Sequence, residues 1–239
     1  MMKHYINTSK GRLYFKPVTL FLGIKQINRD IAIKNLKLLA KVFNEAGIKV
    51  RPAFGSMLGI VREGNLIEWD EDIDLCILDV EEEKFKTTLW NLKAVGFDLI
   101  RYERRGLYSI MKDGEYIDIY VFTKVSPQIY VTGAAFVLSK YLEVDFSLDF
   151  KGIQVFIPKD YDEYLTFQYG DWRTPVKYAD FNMSAFKKFC VKSVHVIKGL
   201  LPDFLYYPLL HRHHRSDLKK FLDKCEAKGI TLDRSKIKY

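Results

Sequence analysis

The sequence predicts an α/β (α+β) protein: a small mixed sheet flanked by helices, in mixed order, with a helical C-terminal extension. Three observations carry that prediction. Leu75-Cys76-Ile77-Leu78 follows a cluster of acids and reads as a buried strand. Tyr116-Ile117-Asp118-Ile119-Tyr120-Val121-Phe122 alternates with period two and reads as another. Residues 30–46 and 81–95 have helical character, and each stretch is closed by a glycine, Gly47 and Gly96.

Residues 1–27 read as a leader with aromatic anchors at Tyr14, Phe15 and Phe21. Asp30 is placed to cap the first helix, with Ile31, Leu38, Val42 and Ala46 near one stripe and Leu36, Leu39 and Phe43 widening it. A strand from Ile48 to Phe54 follows, then a Gly55-Ser56 junction and a short helix to about Arg62. Gly64-Asn65 turns the chain into the acidic strand. Three acids at the start of the 81–95 helix suit its dipole. Phe97 to Glu103, Leu107 to Met111 and Tyr116 to Phe122 are successive strands, with Asp113-Gly114 as a hairpin turn. The pattern loosens after Pro127. Phe150 to Ile157 reads as a hairpin strand, and Asp160-x-x-Glu163 as a capping box for a short helix. Residues 184–198 and 216–228 look helical.

The chemistry concentrates in Trp69-Asp70-Glu71-Asp72-Ile73-Asp74. On a strand, Asp70, Asp72 and Asp74 share one face while Ile73, Leu75 and Ile77 share the other. Carboxylates so close repel one another unless a cation lies between them, and Mg²⁺ takes such oxygen ligands while also holding a substrate's phosphates. Taken alone, Asp-x-Asp is more often a solvated acidic turn ahead of a core strand; here the motifs on either side shift the balance. Asp118 sits on the polar side of its own strand, where an unpaired charge is costly to bury. Upstream, Gly55 and Ser56 offer close backbone approach, N–H groups and a hydroxyl at a strand-to-helix junction, which suits a phosphate. Gly-Ser, Asp-x-Asp and a later single Asp follow the order of a nucleotidyltransferase catalytic core.

Phe54 to Leu78 resembles the LicD-type, fukutin-related phosphotransferase family, whose pattern is Gly-Thr-Leu-Leu-Gly-x-x-Arg followed by Trp-Asp-x-Asp-x-Asp. A second block matches at Phe156-Ile157-Pro158-Lys159-Asp160-Tyr161, Tyr164-Leu165 and Tyr169-Gly170-Asp171-Trp172, with Pro175 beyond. The similarity covers roughly residues 30 to 180. Two departures, Phe54-Gly55-Ser56 for the more frequent Gly-Gly-Thr and Glu63 after the arginine, lie beside the presumed phosphate site.

The resemblance implies a nucleotidyltransferase-like domain over 30–183, between a leader (1–29) and a basic, partly helical extension (184–239). It implies Mg²⁺ or Mn²⁺ on Asp72, Asp74 and Asp118, which are also the catalytic residues. Gly55, Ser56 and Arg62 would bind the donor phosphate, although Arg62 paired with Glu63 or Glu68 fits too. Asp70, Trp69, Tyr169, Asp171 and Trp172 would shape a substrate site, with a cap for Asp70, core packing for Trp69 and a structural turn for the last three as the plainer readings. Members transfer phosphocholine or a polyol phosphate from a CDP-linked donor to a sugar hydroxyl, so the expected partners are a CDP-linked alcohol and a glycan or lipid-linked glycan, as in lipopolysaccharide or capsule biosynthesis. Transfer of a nucleotide from an NTP to a small acceptor, and a non-catalytic binding module, are the alternatives.

The chain is basic, with a net charge of +8 and a pI near 9.2. From His211 to Tyr239 there are nine Lys/Arg against four Asp/Glu, and a His211–Arg215 cluster opens this tail. The aromatic, apolar segment just before it, Phe204 to Leu210, makes an anionic membrane surface an expected partner; a helix with a solvated basic face is the alternative. No nucleic acid is expected, because no recognition motif accompanies the charge. Three widely spaced cysteines, Cys76, Cys190 and Cys225, argue against a disulfide framework and for a reducing compartment. With no apolar stretch long enough to span a bilayer, the expected location is the cytoplasm, peripheral on the inner face of the membrane.

Overall fold

A computed structural model describes residues 4–20, 25–133, 135–176 and 201–238. A hairpin, β1 (His4–Thr8) and β2 (Gly11–Phe15), comes first. Then follow α1 (Arg29–Glu45), β3 (Arg51–Pro52), α2 (Phe54–Glu63), β4 (Ile73–Leu78), a 3-10 turn at Asp79–Glu81 and α3 (Glu82–Ala94). Next come β5 (Asp98–Glu103), β6 (Leu107–Lys112), β7 (Glu115–Ser126), β8 (Ile129–Thr132), β9 (Ala135–Leu138) and α4 (Lys140–Glu143). The second hairpin is β10 (Asp145–Phe150) with β11 (Ile153–Pro158); α5 (Tyr161–Tyr169) and α6 (Asp203–Ala227) follow. The fold is α/β with a mixed sheet, as the sequence predicts. Its central order is β3-β4-β7-β6-β5, with β8 on the far end of the long β7 and β9 beside it. Only β4–β7 among these central pairs is parallel, because α3 carries the chain back across the sheet.

Alternation assigns the two faces. Ile73, Leu75 and Ile77 pair with Ile117, Ile119 and Val121 and are all buried in the main core. On that side α1 and α3 meet, with Phe43 against Phe85 and Phe85 against Tyr108. The other face carries Asp74, Cys76 and Leu78 opposite Asp118, Tyr120 and Phe122. The β10–β11 hairpin is held beside β3 by the Phe156 N–H bonded to the Val50 carbonyl at 2.8 Å. Arg51 joins it, bonding Glu81 at 2.8 Å and lying 3.5 Å from Asp145.

Several local expectations change. Asn28, not Asp30, caps α1, its side chain accepting the Ile31 N–H at 3.2 Å; Asp30 lies in the first turn. The buried stripe of α1 is centred on Leu36, Leu39 and Phe43, with Ile31 and Leu38 at its margin. The leader is a hairpin in which Tyr14 is exposed and Phe15 partly buried; Phe21 lies outside the described residues. Phe54 opens α2 instead of ending a strand, and its φ of +43° is in the left-handed region, at a cost of about 1–2 kcal/mol for a residue with a Cβ. Its ring packs edge-on to Tyr120 at 4.9 Å. The stretch Phe150 to Ile157 is two strands around a Lys151-Gly152 turn, both residues having positive φ. No capping box forms at Asp160, because Glu163 reaches Lys140 at 2.9 Å. The helix expected at 216–228 begins earlier, at Asp203; the one expected at 184–198 lies outside the described residues. Cys76 and Cys225 are free thiols, and burial pushes Cys76 up to about 12.

Candidate active site

The site lies where β4 and β7 run parallel. Pairing of Asp74 with Asp118 puts both carboxylates on one face, and Asp72 joins them from just before β4. One oxygen from each of the three lies within 4.8 Å of the others. Oxygens on either side of a hard cation at about 2.0–2.6 Å are themselves about 4–5 Å apart, so the three fit a divalent ion. A second observation agrees: Asp118 is 3% exposed, and its Oδ1 has no hydrogen-bond partner in the protein. Leaving such an atom buried is costly, and ligation by a cation is the natural relief.

The electrostatics point the same way. Burial, then the charges of Asp74, Asp118 and Asp70, push Asp72 well above the usual carboxylate range. Asp74 is likewise raised well above it by burial and the Asp118 and Asp70 charges, against a lowering hydrogen bond from Tyr120 and the Arg101 charge. Burial raises Asp118 too, opposed first by Arg101. Three acids that disfavour their own ionisation are suited to a positive charge among them.

Backbone positioning comes from the start of α2. Ser56 is 2% exposed and accepts the Asp74 N–H at 2.8 Å, while Ala53 donates to the Asp74 carbonyl at 2.9 Å. Asp74 is therefore clamped through both its peptide groups. Gly55 adjoins Asp70: a Cβ there would lie 2.6 Å from Asp70 Oδ2, so no larger residue fits without moving that carboxylate. Asp70 is half-buried, accepts the Glu71 N–H at 3.0 Å, and is raised by burial. It is not among the three clustered ligands.

The remaining predicted residues are placed as follows. Arg62 bonds Glu63 through Nε at 3.1 Å and through a terminal nitrogen at 2.5 Å, and it also reaches the Trp172 carbonyl at 3.3 Å. This is the ion-pair reading, and it ties α2 to the second sequence block. Trp69 is half-buried. Trp172 is buried with Arg173 stacked 4.4 Å from its ring centre, and Tyr169 is exposed. Asp171 is exposed and accepts from Thr174 at 2.7 Å, which holds its carboxyl below the usual range; this is a turn. In the His211–Arg215 cluster, His214 is buried edge-on to Phe136 at 6.3 Å.

Three residues at the site escaped the sequence reading: Arg101, Ser109 and Tyr120. Arg101 donates to Ser109 at 2.7 Å and forms an ion pair with Asp118. Ser109 is fully buried and faces Asp118 across the β6–β7 ladder. The signal for Ser109 was present. A two-residue turn at Asp113-Gly114 pairs Lys112 with Glu115, and counting outward pairs Ser109 with Asp118. The same count across the next loop sets Arg101 opposite Ser109.

Comparison with known proteins gives one family. Residues 47–160 match the family model described as LicD/FKTN/FKRP, nucleotidyltransferase domain. No curated protein sequence matches the chain. Among solved structures, the lincosamide antibiotic adenylyltransferase LnuA, lincomycin-bound, has a TM-score of 0.41 at 11% identity, over 66% of this chain and 93% of that one. ANT(2")-Ia in complex with adenylyl-2"-tobramycin has a TM-score of 0.42 at 12% identity, over 79% and 99%. A solution structure of ANT(2'')-Ia gives 0.44 at 10% identity, over 84% and 98%. These structural likenesses are too loose to carry an argument about this chain. The 47–160 region, which carries Asp72, Asp74 and Asp118, is thus similar to the LicD/FKTN/FKRP nucleotidyltransferase domain.

Proposed function

We propose that the protein moves a phospho-alcohol, phosphocholine or a polyol phosphate, from a CDP-linked donor to a hydroxyl of a glycan or lipid-linked glycan, releasing CMP. The observation that carries this reading is the Asp72, Asp74 and Asp118 cluster with its unpartnered buried oxygen, inside a region similar to a nucleotidyltransferase domain. Residues 30–183 are read as the catalytic unit. Phosphoryl transfer asks the protein mainly for positioning and charge neutralisation. A divalent cation, Mg²⁺ or Mn²⁺, supplies that neutralisation on the donor's diphosphate when held by the three acids. Asp72 and Asp74 hold the ion; Asp74 is kept in place by Ser56 and Ala53. Asp118 uses Oδ1 either for the ion or to take the proton from the attacking hydroxyl. Gly55, at the start of α2, would lie toward the donor phosphate, while the buried Ser56 hydroxyl, engaged by the Asp74 N–H, positions a metal ligand instead of binding phosphate.

The test is phosphorus NMR of reactions with CDP-choline, CDP-ribitol or CDP-glycerol, a glycan acceptor and Mg²⁺. CMP and a new phosphodiester are expected. Pyrophosphate released from an NTP, with no CMP from any CDP-alcohol, would replace this reading with nucleotide transfer.

The acceptor would be met at a bilayer. Among the described residues, no helix is long and apolar enough to cross a membrane. On α6, Phe204, Leu205 and Leu209 are exposed, at 73%, 45% and 57%, and the exposed Arg212, Arg215, Lys219 and Lys220 follow. Apolar insertion beside basic charge suits an anionic surface at the cytoplasmic face. Cosedimentation with anionic vesicles should fall with rising salt, and equal binding to neutral vesicles would count against it.

A further inference from the structure

Arg101 stands in line with the acids. The strand register pairs Asp74 with Asp118, Asp118 with Ser109, and Ser109 with Arg101, so four side chains from β4, β7, β6 and β5 form one transverse row on one face. The guanidinium closes the row, with Nε on Ser109 Oγ at 2.7 Å and a terminal nitrogen on Asp118 Oδ2. The two oxygens of Asp118 are thus divided: Oδ2 is engaged by Arg101, and Oδ1 is left without a protein partner.

We propose, on the basis of the metal-site reading above, that the donor-free protein loads a single divalent cation here. Arg101 occupies the place of a second ion and acts as a positioning residue for Asp118. Two-metal sites hold their ions about 3.5–4 Å apart, a spacing that a carboxylate bridges with both oxygens. Asp118 has one oxygen already committed, so it cannot bridge while Arg101 holds it.

Electron paramagnetic resonance during Mn²⁺ titration of the full chain, without donor, tests this. The wild type should bind one Mn²⁺ with an uncoupled spectrum. Arg101→Gln should bind two, with the spectrum of a coupled pair, and Arg101→Lys, which keeps the charge, should return to one. A merely structural arginine would leave the count at one in all three proteins, and that result overturns the proposal. Two ions in the wild type overturn it as well, while leaving the metal site standing; this arm holds even if Arg101→Gln fails to fold. No bound Mn²⁺ in the wild type would instead remove the metal-site reading itself.

Discussion

The same strands, β4 and β7, build two opposite environments on their two faces. Behind the sheet, Ile73, Leu75 and Ile77 meet Ile117, Ile119 and Val121, all nearly or fully buried and without polar groups to satisfy. In front, one residue out of phase, Asp74 meets Asp118 in a place where burial raises both acids. The apolar face contributes stability by removing surface from water. The acidic face opposes it, since charges of one sign are gathered there, with Arg101 the first of the cations against them at Asp118. Binding of a cation, as proposed above, would offset the stability lost there.

The largest expected effect separates the faces by activity. Asp72→Asn, Asp74→Asn and Asp118→Asn should each reduce turnover by more than about 100-fold, beyond what loss of a group behind a metal ligand costs, with circular dichroism unchanged. Activity within a fewfold of wild type would take that residue out of the site. Stability should divide the three. Asp72→Asn and Asp74→Asn relieve repulsion and should raise the metal-free melting temperature, whereas Asp118→Asn deprives Arg101 of its partner and should lower it.

The converse substitution is Ile119→Ala on the apolar face. Full burial predicts a loss of about 2–5 kcal/mol, measured by urea unfolding, with the Mg²⁺ response of the remaining folded protein intact. If metal affinity falls in proportion to stability, the faces are not independent. A smaller effect is expected from Ser56→Ala, which removes the hydroxyl holding the Asp74 N–H. About 1–3 kcal/mol should be lost, the cost of a buried donor left unsatisfied, and kcat should fall while the circular dichroism spectrum stays the same. An unchanged kcat would show that the clamp does not set the position of Asp74.

Much of this division was legible in the sequence. Period-two alternation alone assigned Ile73, Leu75 and Ile77 to one face and Asp74 to the other, and the strong Asp113-Gly114 turn fixed a register that would have found Ser109. What the sequence could not yield were contacts between segments distant in the chain. Arg62 meets the carbonyl of Trp172, 110 residues away, and no local pattern encodes that. Glu163 had the spacing of a capping box but found Lys140 on a neighbouring helix, a tertiary partner overriding a local one. Phe54 looked like the end of a strand because nothing in its neighbours announces a left-handed backbone at a phenylalanine. The signals that failed were short-range ones outvoted by packing.

The central claim is that the acidic face is built to hold a divalent cation, and calorimetry across pH tests it most directly. Burial and neighbouring charge hold Asp72 and Asp74 well above the usual carboxylate range. Between about pH 3.9, where such groups titrate in an unfolded chain, and their raised native values, the native state keeps protons that the unfolded chain has released. The metal-free protein should therefore lose stability as pH rises through that window. Saturating Mn²⁺ should restore the melting temperature at pH 8, do little at pH 5, and do little at either pH in Asp74→Asn; each 1 kcal/mol recovered corresponds to about 2–4 °C for a chain of this size. A Mn²⁺ shift of the same size at both pH values, or one retained in Asp74→Asn, would contradict the account.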